Sequence, residues 1–207
     1  MLVIVHPDFA AGGTTQVIAS AVDLVPTMLA FAGLDTAAIA TDLPALHGHS
    51  LAPALGGGRV RDGVLTAVES VISLDAEFWK AFADPEAPKR LMSGELRPDF
   101  GKRGFLRGYT DERYSFGRYF SPLEPNRPND AKSLVERNDV VLYDRLEDPG
   151  ETHNLALDPA RQDQVAEYRT KLEGLISQEI GDDVSAWVLE RPHLGPWPRW
   201  RGDDAAS

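Results

Sequence analysis

The chain has 207 residues, a formal net charge of −11 and no cysteine, with 43% hydrophobic and 26% charged residues. These fractions are typical of a globular protein with one or two domains and a sizeable core. The acidic excess argues against nucleic acid as the main partner, since phosphate binding needs a positive surface. The lack of cysteine excludes disulfides, thiolate metal sites and a thiol nucleophile.

The sequence also predicts that the chain has no membrane partner. No apolar run reaches the ~20 residues of a membrane span. Residues 1–5 are too short for the core of a signal peptide, and no basic region precedes them. The compartment is therefore left unknown, with the cytoplasm as the default expectation.

The first two predicted elements are a strand and a helix. Residues 2–5 form a short, continuous apolar run, which is typical of a strand buried on both faces of a parallel or mixed sheet. Residues 23–32 are apolar over a wide arc, which predicts a mostly buried helix. Asp23 is the expected N-cap, because Pro26 then falls within the first helical turn.

Residues 36–58 are rich in loop-forming residues and end in three glycines, so we place a domain boundary there. Residues 1–58 would be one structural part and residues 59–207 another. In the second part, the pattern predicts a strand over residues 64–71, a short helix over 75–83 and an irregular segment over 85–99.

An antiparallel meander is predicted next. Residues 104–120 alternate with period two around a turn at 110–113, which indicates a hairpin with two distinct faces. A loop with three prolines covers 122–130, and residues 140–143 supply a further strand. Strands that follow one another along the chain pair as a meander.

The clearest predicted element is a helix over residues 159–180, with Asp158 as N-cap and Pro159 at the first helical position. Its apolar residues recur at spacings of three and four and form one stripe. Gly181 ends it, and the proline-rich tail is expected to be non-helical. The stripe consists of Val165, Tyr168, Leu172, Leu175 and Ile176.

Four short motifs together resemble one known family. In chain order they lie in residues 22–33, 48–55, 107–114 and 142–156. The last contains Leu142-Tyr143-Asp144, Asp148-Pro149-Gly150-Glu151 and Asn154-Leu155-Ala156, where the proline presets one backbone angle of the acidic turn and the glycine relaxes another. Their order is similar to that of the sulfatase family, in the alkaline-phosphatase superfamily, over about residues 2–175.

The resemblance implies an α/β fold that is α+β in its C-terminal part. Residues 1–58 would hold the remnant of a mixed sheet with a buried helix. Residues 59–207 would hold a small antiparallel sheet covered by the long C-terminal helix, followed by an irregular tail. On this interpretation the chain is the C-terminal portion of a sulfatase-like hydrolase.

The family's chemistry needs parts that this chain lacks. A formylglycine, made within Cys/Ser-x-Pro-x-Arg, attacks sulfur, and calcium offsets the charge of the sulfate oxygens. The chain has no cysteine and no Ser or Thr followed by x-Pro-x-Arg. Calcium and formylglycine are therefore expected only in an N-terminal part that would precede Met1. No catalytic residue, metal ligand or cofactor is assigned here, and the substrate-binding residues are unknown.

A few residues remain as weak candidates for a site, and a structural role is the favoured interpretation of each. His6 with Asp8 resembles a histidine–carboxylate pair at a strand end, and His47 and His49 straddle a glycine but have no third ligand nearby. Four further carboxylates are expected to be solvated charges rather than calcium ligands: Asp182, Asp183, Asp203 and Asp204. Three arginines of the hairpin are expected to pair with nearby carboxylates across the strands rather than bind an anion. They are Arg107, Arg113 and Arg118.

Two functions are left open. The first is the C-terminal portion of a hydrolase of sulfate esters that is inactive alone, and the sequence does not exclude a phosphate or phosphonate ester. The second is a non-catalytic binding or assembly module that completes a separate N-terminal sulfatase polypeptide. In that case the strand at 2–5 and the helix at 23–32 would leave a large apolar patch uncovered. A small enzyme built on His6 and Asp8 is the least favoured alternative.

Overall fold

The computed structural model describes residues 2–8, 12–70, 75–123, 128 and 130–183. Within these ranges, no single helix is long and apolar enough to cross a membrane; the bent pair Ala21–Phe31 and Thr36–Asp42 meets that test only together. The α-helices, in chain order, are α1 Leu24–Phe31, α2 Thr36–Asp42, α3 Ala52–Leu55, α4 Ala76–Phe82, α5 Ala87–Met92, α6 Ala131–Arg137 and α7 Gln162–Glu179.

The strands form one antiparallel meander, as the sequence predicts. Each strand pairs with the next along the chain, in the order β1-β2-β3-β4. In the central hairpin, Thr110 lies opposite Ser115 and Phe105 opposite Phe120. The side chain of Asp111 closes its turn by accepting the backbone N–H groups of Arg113 and Tyr114. The strands are β1 Val64–Glu69, β2 Phe105–Thr110, β3 Tyr114–Phe120 and β4 Asp139–Asp144.

The main core lies between this sheet and α7. The predicted stripe of α7 is buried apart from Leu175, which is half-buried. Because side chains alternate across a strand, one face of the hairpin supplies Tyr109 and Phe116 to the same cluster, and β4 supplies Leu142. The prediction of a small antiparallel sheet covered by a long C-terminal helix is therefore confirmed.

The ends of α7 follow the predicted signals. Asp158 accepts the backbone N–H of Ala160 at 2.8 Å, and the turn Pro159–Arg161 is a 3-10 segment that leads into α7. Gly181 has φ +84° and donates its N–H to the carbonyl of Ile176. This left-handed residue after the last turn is the usual glycine stop of a helix.

The N-terminal part differs from the prediction. Residues 2–8 contain no strand, and Val3 and Val5 are 70% and 92% exposed. A strand that is buried on both faces needs neighbours at its edges, and every strand of the described sheet comes from residues 64–144. The predicted remnant of a mixed sheet is therefore not formed in the described residues.

The helix predicted over residues 23–32 forms, but it is not mostly buried. Pro26 and Thr27 are buried, whereas Val25 and Met28 are exposed. Asp23 holds the predicted N-cap position of α1, but its side chain makes no capping hydrogen bond there. A 3-10 turn at Ala21–Asp23 precedes α1, and Ser20 is its N-cap, with the Ser20 backbone N–H donating to Asp23 at 2.7 Å. Asp23 is instead an interior residue that is held by longer-range contacts.

Three short helices were not predicted: α2 and α5 occupy segments that were predicted as loop or irregular chain, and α6 occupies a segment without a prediction. Each starts at an acidic residue: Asp35 caps α2, Glu86 precedes α5, and Asp130 caps α6 in a reciprocal pair with Ser133. With only six or seven residues they are too short to show a helical period, so their caps were the only available signal. The predicted helix over 75–83 forms as α4, with Asp75 as N-cap.

Candidate functional site

The described residues form an open cleft of about 600 Å³ between α7 and the loop that leads into β1. Its volume lies in the range of small-molecule sites. The loop supplies the wall Arg59–Gly63, β2 supplies Tyr109, and α7 supplies the opposite wall with Thr170, Lys171, Gly174, Leu175 and Gln178, while His49 lies at one end.

A buried ion network forms the back of this cleft. Arg61 donates to the carboxylate of Asp23 and, at 3.0 Å, to Glu179 at the end of α7. Asp23 is fully buried and also accepts the backbone N–H of His49 at 2.8 Å. The network therefore ties the start of α1, the loop before β1 and the last turn of α7 together.

Tyr109 lines the cleft from the sheet, and Lys171 lines it from α7. Gly63 lies so close to Tyr109 that a Cβ would be 2.3 Å from the ring, so only glycine allows this contact. The Nζ of Lys171 lies 4.2 Å from the ring centroid of Tyr168, an attractive cation–π distance. The Tyr168 hydroxyl donates to Asp111 at 2.6 Å.

The pKa shifts of this cluster follow from burial and from these contacts. Burial, followed by the hydrogen bond to Asp111, raises the pKa of Tyr168 well above its usual value. Burial alone would lower the pKa of Lys171, but the hydrogen bond to Glu167 and the charge of Asp111 outweigh it and raise that pKa. Burial would likewise raise the pKa of Asp111, but the N–H of Tyr114 and the hydroxyl of Tyr168 hold it below its usual range. The cluster is thus charged and internally compensated at neutral pH.

The cleft offers binding groups but not the chemistry of a sulfatase centre. Its cations already have partners, because Arg59 lies 3.2 Å from Asp62 and Lys171 lies 2.7 Å from Glu167. Across the described ranges, no group of three or more His, Cys, Asp or Glu side chains could hold a metal ion. The sequence has no Cys, and none of its Ser or Thr residues is followed by x-Pro-x-Arg. The described residues therefore do not fit calcium, and the sequence does not fit a formylglycine.

The histidine candidates do not come together. His6 accepts the backbone N–H of Asp8 at 3.3 Å, and its Nδ1 lies 3.9 Å from a carboxylate that is largely exposed. Its ring stacks on Phe31 with centroids 4.5 Å apart. His49 lines the cleft, and its backbone N–H donates to Asp23. His47 and His49 are both exposed.

The three hairpin arginines pair with the protein's own carboxylates. Arg113 binds Asp144 across β3 and β4 at 2.7 Å. Arg107 is buried and donates to both oxygens of Asp183, at 2.9 and 2.7 Å. Arg118 lies 3.4 Å from a carboxylate of α7, that of Glu173.

These pairs revise two of the sequence-based expectations. The expected ion pairs are present. Only two of the partner carboxylates come from neighbouring strands: Asp144, which pairs with Arg113, and Glu69 on β1, which is the second partner of Arg107. The prediction that Asp183 is a solvated charge is wrong: it is buried because it neutralises Arg107, whereas Asp182 is exposed. Asp203 and Asp204 lie outside the described residues.

The signature segment 142–156 is built around side-chain contacts to its own backbone. Asp148 accepts from the Thr152 hydroxyl at 3.0 Å and from the His153 N–H at 2.7 Å. Asn154 binds the exposed edge of β4. The left-handed residue of the turn is Glu151, with φ +51°, and not Gly150, which the sequence suggested.

Apart from His49, sequence reasoning missed the cleft residues. Arg59 and Arg61 lie in a loop without periodicity, and Tyr109 and Lys171 were predicted only as parts of a strand and a helix. The short run Arg59-Val60-Arg61-Asp62-Gly63 was the one available signal, because it places two cations and a glycine immediately before a strand.

Several solved structures are similar to this chain, and one of them shares its fold with a TM-score above 0.5. The Bacteroides thetaiotaomicron protein BT33494S-sulf, described with the metabolism of multiple glycosaminoglycans, is 19% identical, with a TM-score of 0.52 over 88% of this chain and 32% of its own. BT1596, a 2-O GAG sulfatase, is 23% identical, with a TM-score of 0.46 over 77% and 25%. The phosphonate monoester hydrolase of Agrobacterium radiobacter is 21% identical, with a TM-score of 0.44 over 80% and 26%. No protein-family model and no curated protein sequence matches the chain.

The chain therefore has the fold of a sulfatase portion. It spans about a quarter to a third of the length of the sulfatase-type structures that it matches. The resemblance that the four motifs indicate is confirmed at the level of the fold, and the short coverage is consistent with the predicted C-terminal portion.

Proposed function

We propose that this chain is the C-terminal portion of a sulfatase-like hydrolase of sulfate esters and is inactive alone. The observation that supports this most is the shared fold with BT33494S-sulf, which accommodates 88% of this chain in 32% of its own length. The motifs in residues 142–156 add a second, independent reason, because their Asp and Asn side chains have definite structural roles in the fold.

The proposed inactivity rests on the charge that the transition state carries. Cleavage of a sulfate ester concentrates negative charge on the sulfate oxygens and on the departing alcohol oxygen, and a site must supply metal or cationic groups to stabilise it. The cations of the cleft, Arg59, Arg61 and Lys171, are already matched by Asp62, by Asp23 and Glu179, and by Glu167. A nucleophile with the formylglycine motif is also lacking.

A direct assay tests this. The purified chain is incubated with p-nitrophenyl sulfate and calcium, and release of p-nitrophenol is compared with a blank and with a His49→Ala variant. We expect no release above the blank from either protein. Turnover by the unchanged chain that the His49→Ala variant loses would overturn the proposal, because it would place a working site in the cleft.

The second candidate is a non-catalytic binding or assembly module that completes a separate N-terminal polypeptide. The observation that favours it is the apolar surface that α1 and residues 2–5 leave exposed. Both candidates predict that the isolated chain is inactive. They differ in whether a complex with the N-terminal polypeptide cleaves the sulfate ester. A reconstituted complex that cleaves the aryl sulfate supports the first, and a stable complex without turnover supports the second.

A further inference from the structure

The two edges of the four-stranded sheet differ in how they are covered. At the β4 edge, the side chain of Asn154 binds the Leu142 N–H and the Val140 carbonyl, each at 3.0 Å. At the opposite edge, residues 66–69 of β1 are all exposed, and Val68 is 41% exposed. The β1 edge is therefore open to solvent, whereas part of the β4 edge is covered by an amide.

The register of the sheet determines which backbone groups of β1 point outward. In an antiparallel pair, residues that exchange hydrogen bonds alternate with residues that do not. The N–H of Ser70 donates to the Gly104 carbonyl at 3.3 Å, so the backbone of Ser70 faces β2. By this alternation, the N–H and C=O groups of Leu65, Ala67 and Glu69 point away from β2. No backbone hydrogen bond to these outward groups is found among the residues that the structure describes.

The sequence of β1 does not protect this edge. Proteins commonly protect an edge strand with lysine, proline or a bulge. The strand Val64–Glu69 contains neither lysine nor proline, and its residues pair one to one with β2 without a bulge. Its one charged residue, Glu69, pairs with Arg107 at 2.6 Å, so that charge is paired within the chain. Such an edge can accept a further strand.

The outward groups of β1 are complementary to those of a second copy of the same strand. They lie symmetrically about Ala67, so a twofold axis there would place Leu65 opposite Glu69 of the second copy. Each facing pair of outward residues would exchange two N–H···O bonds, and Thr66 would lie opposite Val68 of the second copy. No like charges would face each other. Closed twofold pairs are also the commonest oligomers of soluble proteins.

We propose that two copies of this chain associate through β1, antiparallel about Ala67, and so join their sheets into one continuous sheet. The inference goes beyond the proposed function and does not depend on it. Because one short strand of each copy makes the contact, the interface is small, and interfaces below about 1,200 Å² are weak. The net charge of −11 on each copy also opposes association at low salt. The dimer should therefore form at high protein concentration and strengthen as salt screens this charge.

Sedimentation equilibrium of the full chain tests the association. The protein is measured at about 0.15 M salt and at concentrations up to about 1 mM, which detect even weak association. The average mass should rise with concentration from 22.6 kDa toward twice that value. In the unchanged chain, hydrogen exchange of the Ala67 amide should slow over the same concentrations, because that N–H is bonded only in the dimer.

Charged variants of Ala67 test the twofold register. Ala67 is exposed, and either Ala67→Lys or Ala67→Glu would place like charges directly opposite each other across the axis. Each variant alone should have a dissociation constant at least about tenfold higher. An equimolar mixture of the two should associate within about threefold of the unchanged chain, since opposite charges then face each other. The matched control Ala67→Ser adds no charge and should change the dissociation constant less than about threefold.

Three results would overturn the proposal. They are a chain that stays monomeric at the highest concentration, equal dissociation constants for all the variants, and a mixture that associates no better than either charged variant alone. Slow exchange of the Ala67 amide in a monomeric chain would also overturn it, because another segment of the same chain would then cover the edge. Circular dichroism melting of each variant separates lost association from lost folding, and the exchange measurement on the unchanged chain needs no variant.

Discussion

The side chain of Asn154 takes the place of a neighbouring strand beside Leu142. Its Oδ1 accepts the Leu142 N–H at 3.0 Å, and its Nδ2 donates to the Val140 carbonyl at 3.0 Å. The same Oδ1 accepts the N–H of Ala156 at 2.9 Å and so starts the turn toward α7. Since β4 is an edge strand, this one amide satisfies backbone groups that would otherwise be open to pairing with another chain.

Removing this amide should destabilise the protein. Asn154→Ala leaves the Leu142 N–H and the Val140 carbonyl without their partner, and a lost hydrogen bond at a part-buried site costs about 0.5–1.5 kcal/mol. We expect the free energy of unfolding, from urea titration, to fall by at least about 1 kcal/mol. Asn154→Asp keeps the acceptor but places a second carboxylate oxygen against the Val140 carbonyl, so it should also destabilise the protein. An alanine variant within about 0.5 kcal/mol of the unchanged chain would contradict this role.

The pair between Arg107 and Asp183 should be a major contributor to stability. Arg107 is 1% exposed, so Asp183→Ala would leave a buried guanidinium with Glu69 as its remaining carboxylate among the described residues. Breaking a buried pair from one side typically costs about 3–5 kcal/mol, and we expect the lower end of that range in urea unfolding. The matched control is Asp182→Ala at the exposed neighbour, which should stay within about 0.5 kcal/mol. Equal effects of the two variants on the free energy of unfolding would show that the pair with Arg107 is not a major contributor to stability.

Local sequence patterns predicted the hairpin and α7 correctly, because each has the right periodicity and the same chain supplies the elements that bury its apolar face. Residues 2–5 have the composition of a buried strand. Such a pattern indicates that a segment needs to be buried, but not which other element buries it. Asn154 was predicted only as a residue leading into the helix, because its contacts to Leu142 and Val140 cross from one element to another. The cleft needed the same long-range information: Arg61 meets Glu179 across 118 positions of sequence.

Acid should destabilise the protein through Asp144. The Arg113 guanidinium, aided by backbone N–H groups, lowers the pKa of Asp144 from its ordinary 3.8 to about 2. Because the folded state has the lower pKa, its stabilising effect is complete above about pH 4 and is lost as the pH falls toward 2. Asp75, held by Lys102, has the same shift to a pKa of about 2 and the same sign.

Urea unfolding between pH 2 and pH 5 measures this linkage. The unfolding free energy of the unchanged chain should fall as the pH drops, and the slope should be smaller in Asp144→Asn. Arg113→Gln removes the largest cause of the shift and should flatten the curve in the same way. Part of the slope should remain in both variants, because the lowered pKa of Asp75 contributes to it in the same pH range. Parallel curves for Asp144→Asn and the unchanged chain would refute the linkage.

The two glycines Gly48 and Gly174 should respond in opposite directions to alanine. A Cβ at Gly48 would lie 2.0 Å from the Val22 carbonyl oxygen, so the loop and the start of the helical segment before α1 would have to separate. We expect a loss of about 1–3 kcal/mol, as for other overpacked contacts. Hydrogen exchange of the α1 amides should speed up, because this contact holds the Asp23 network in place.

Gly174 is the control from the same cleft. It lies inside α7, and a Cβ there meets no atom within 4 Å. Alanine at such a helical position typically stabilises by about 0.5–1 kcal/mol relative to glycine. Gly174→Ala should therefore raise the melting temperature and leave exchange in α1 unchanged. If Gly48→Ala were tolerated equally well, the close contact between the loop and the segment before α1 would not exist.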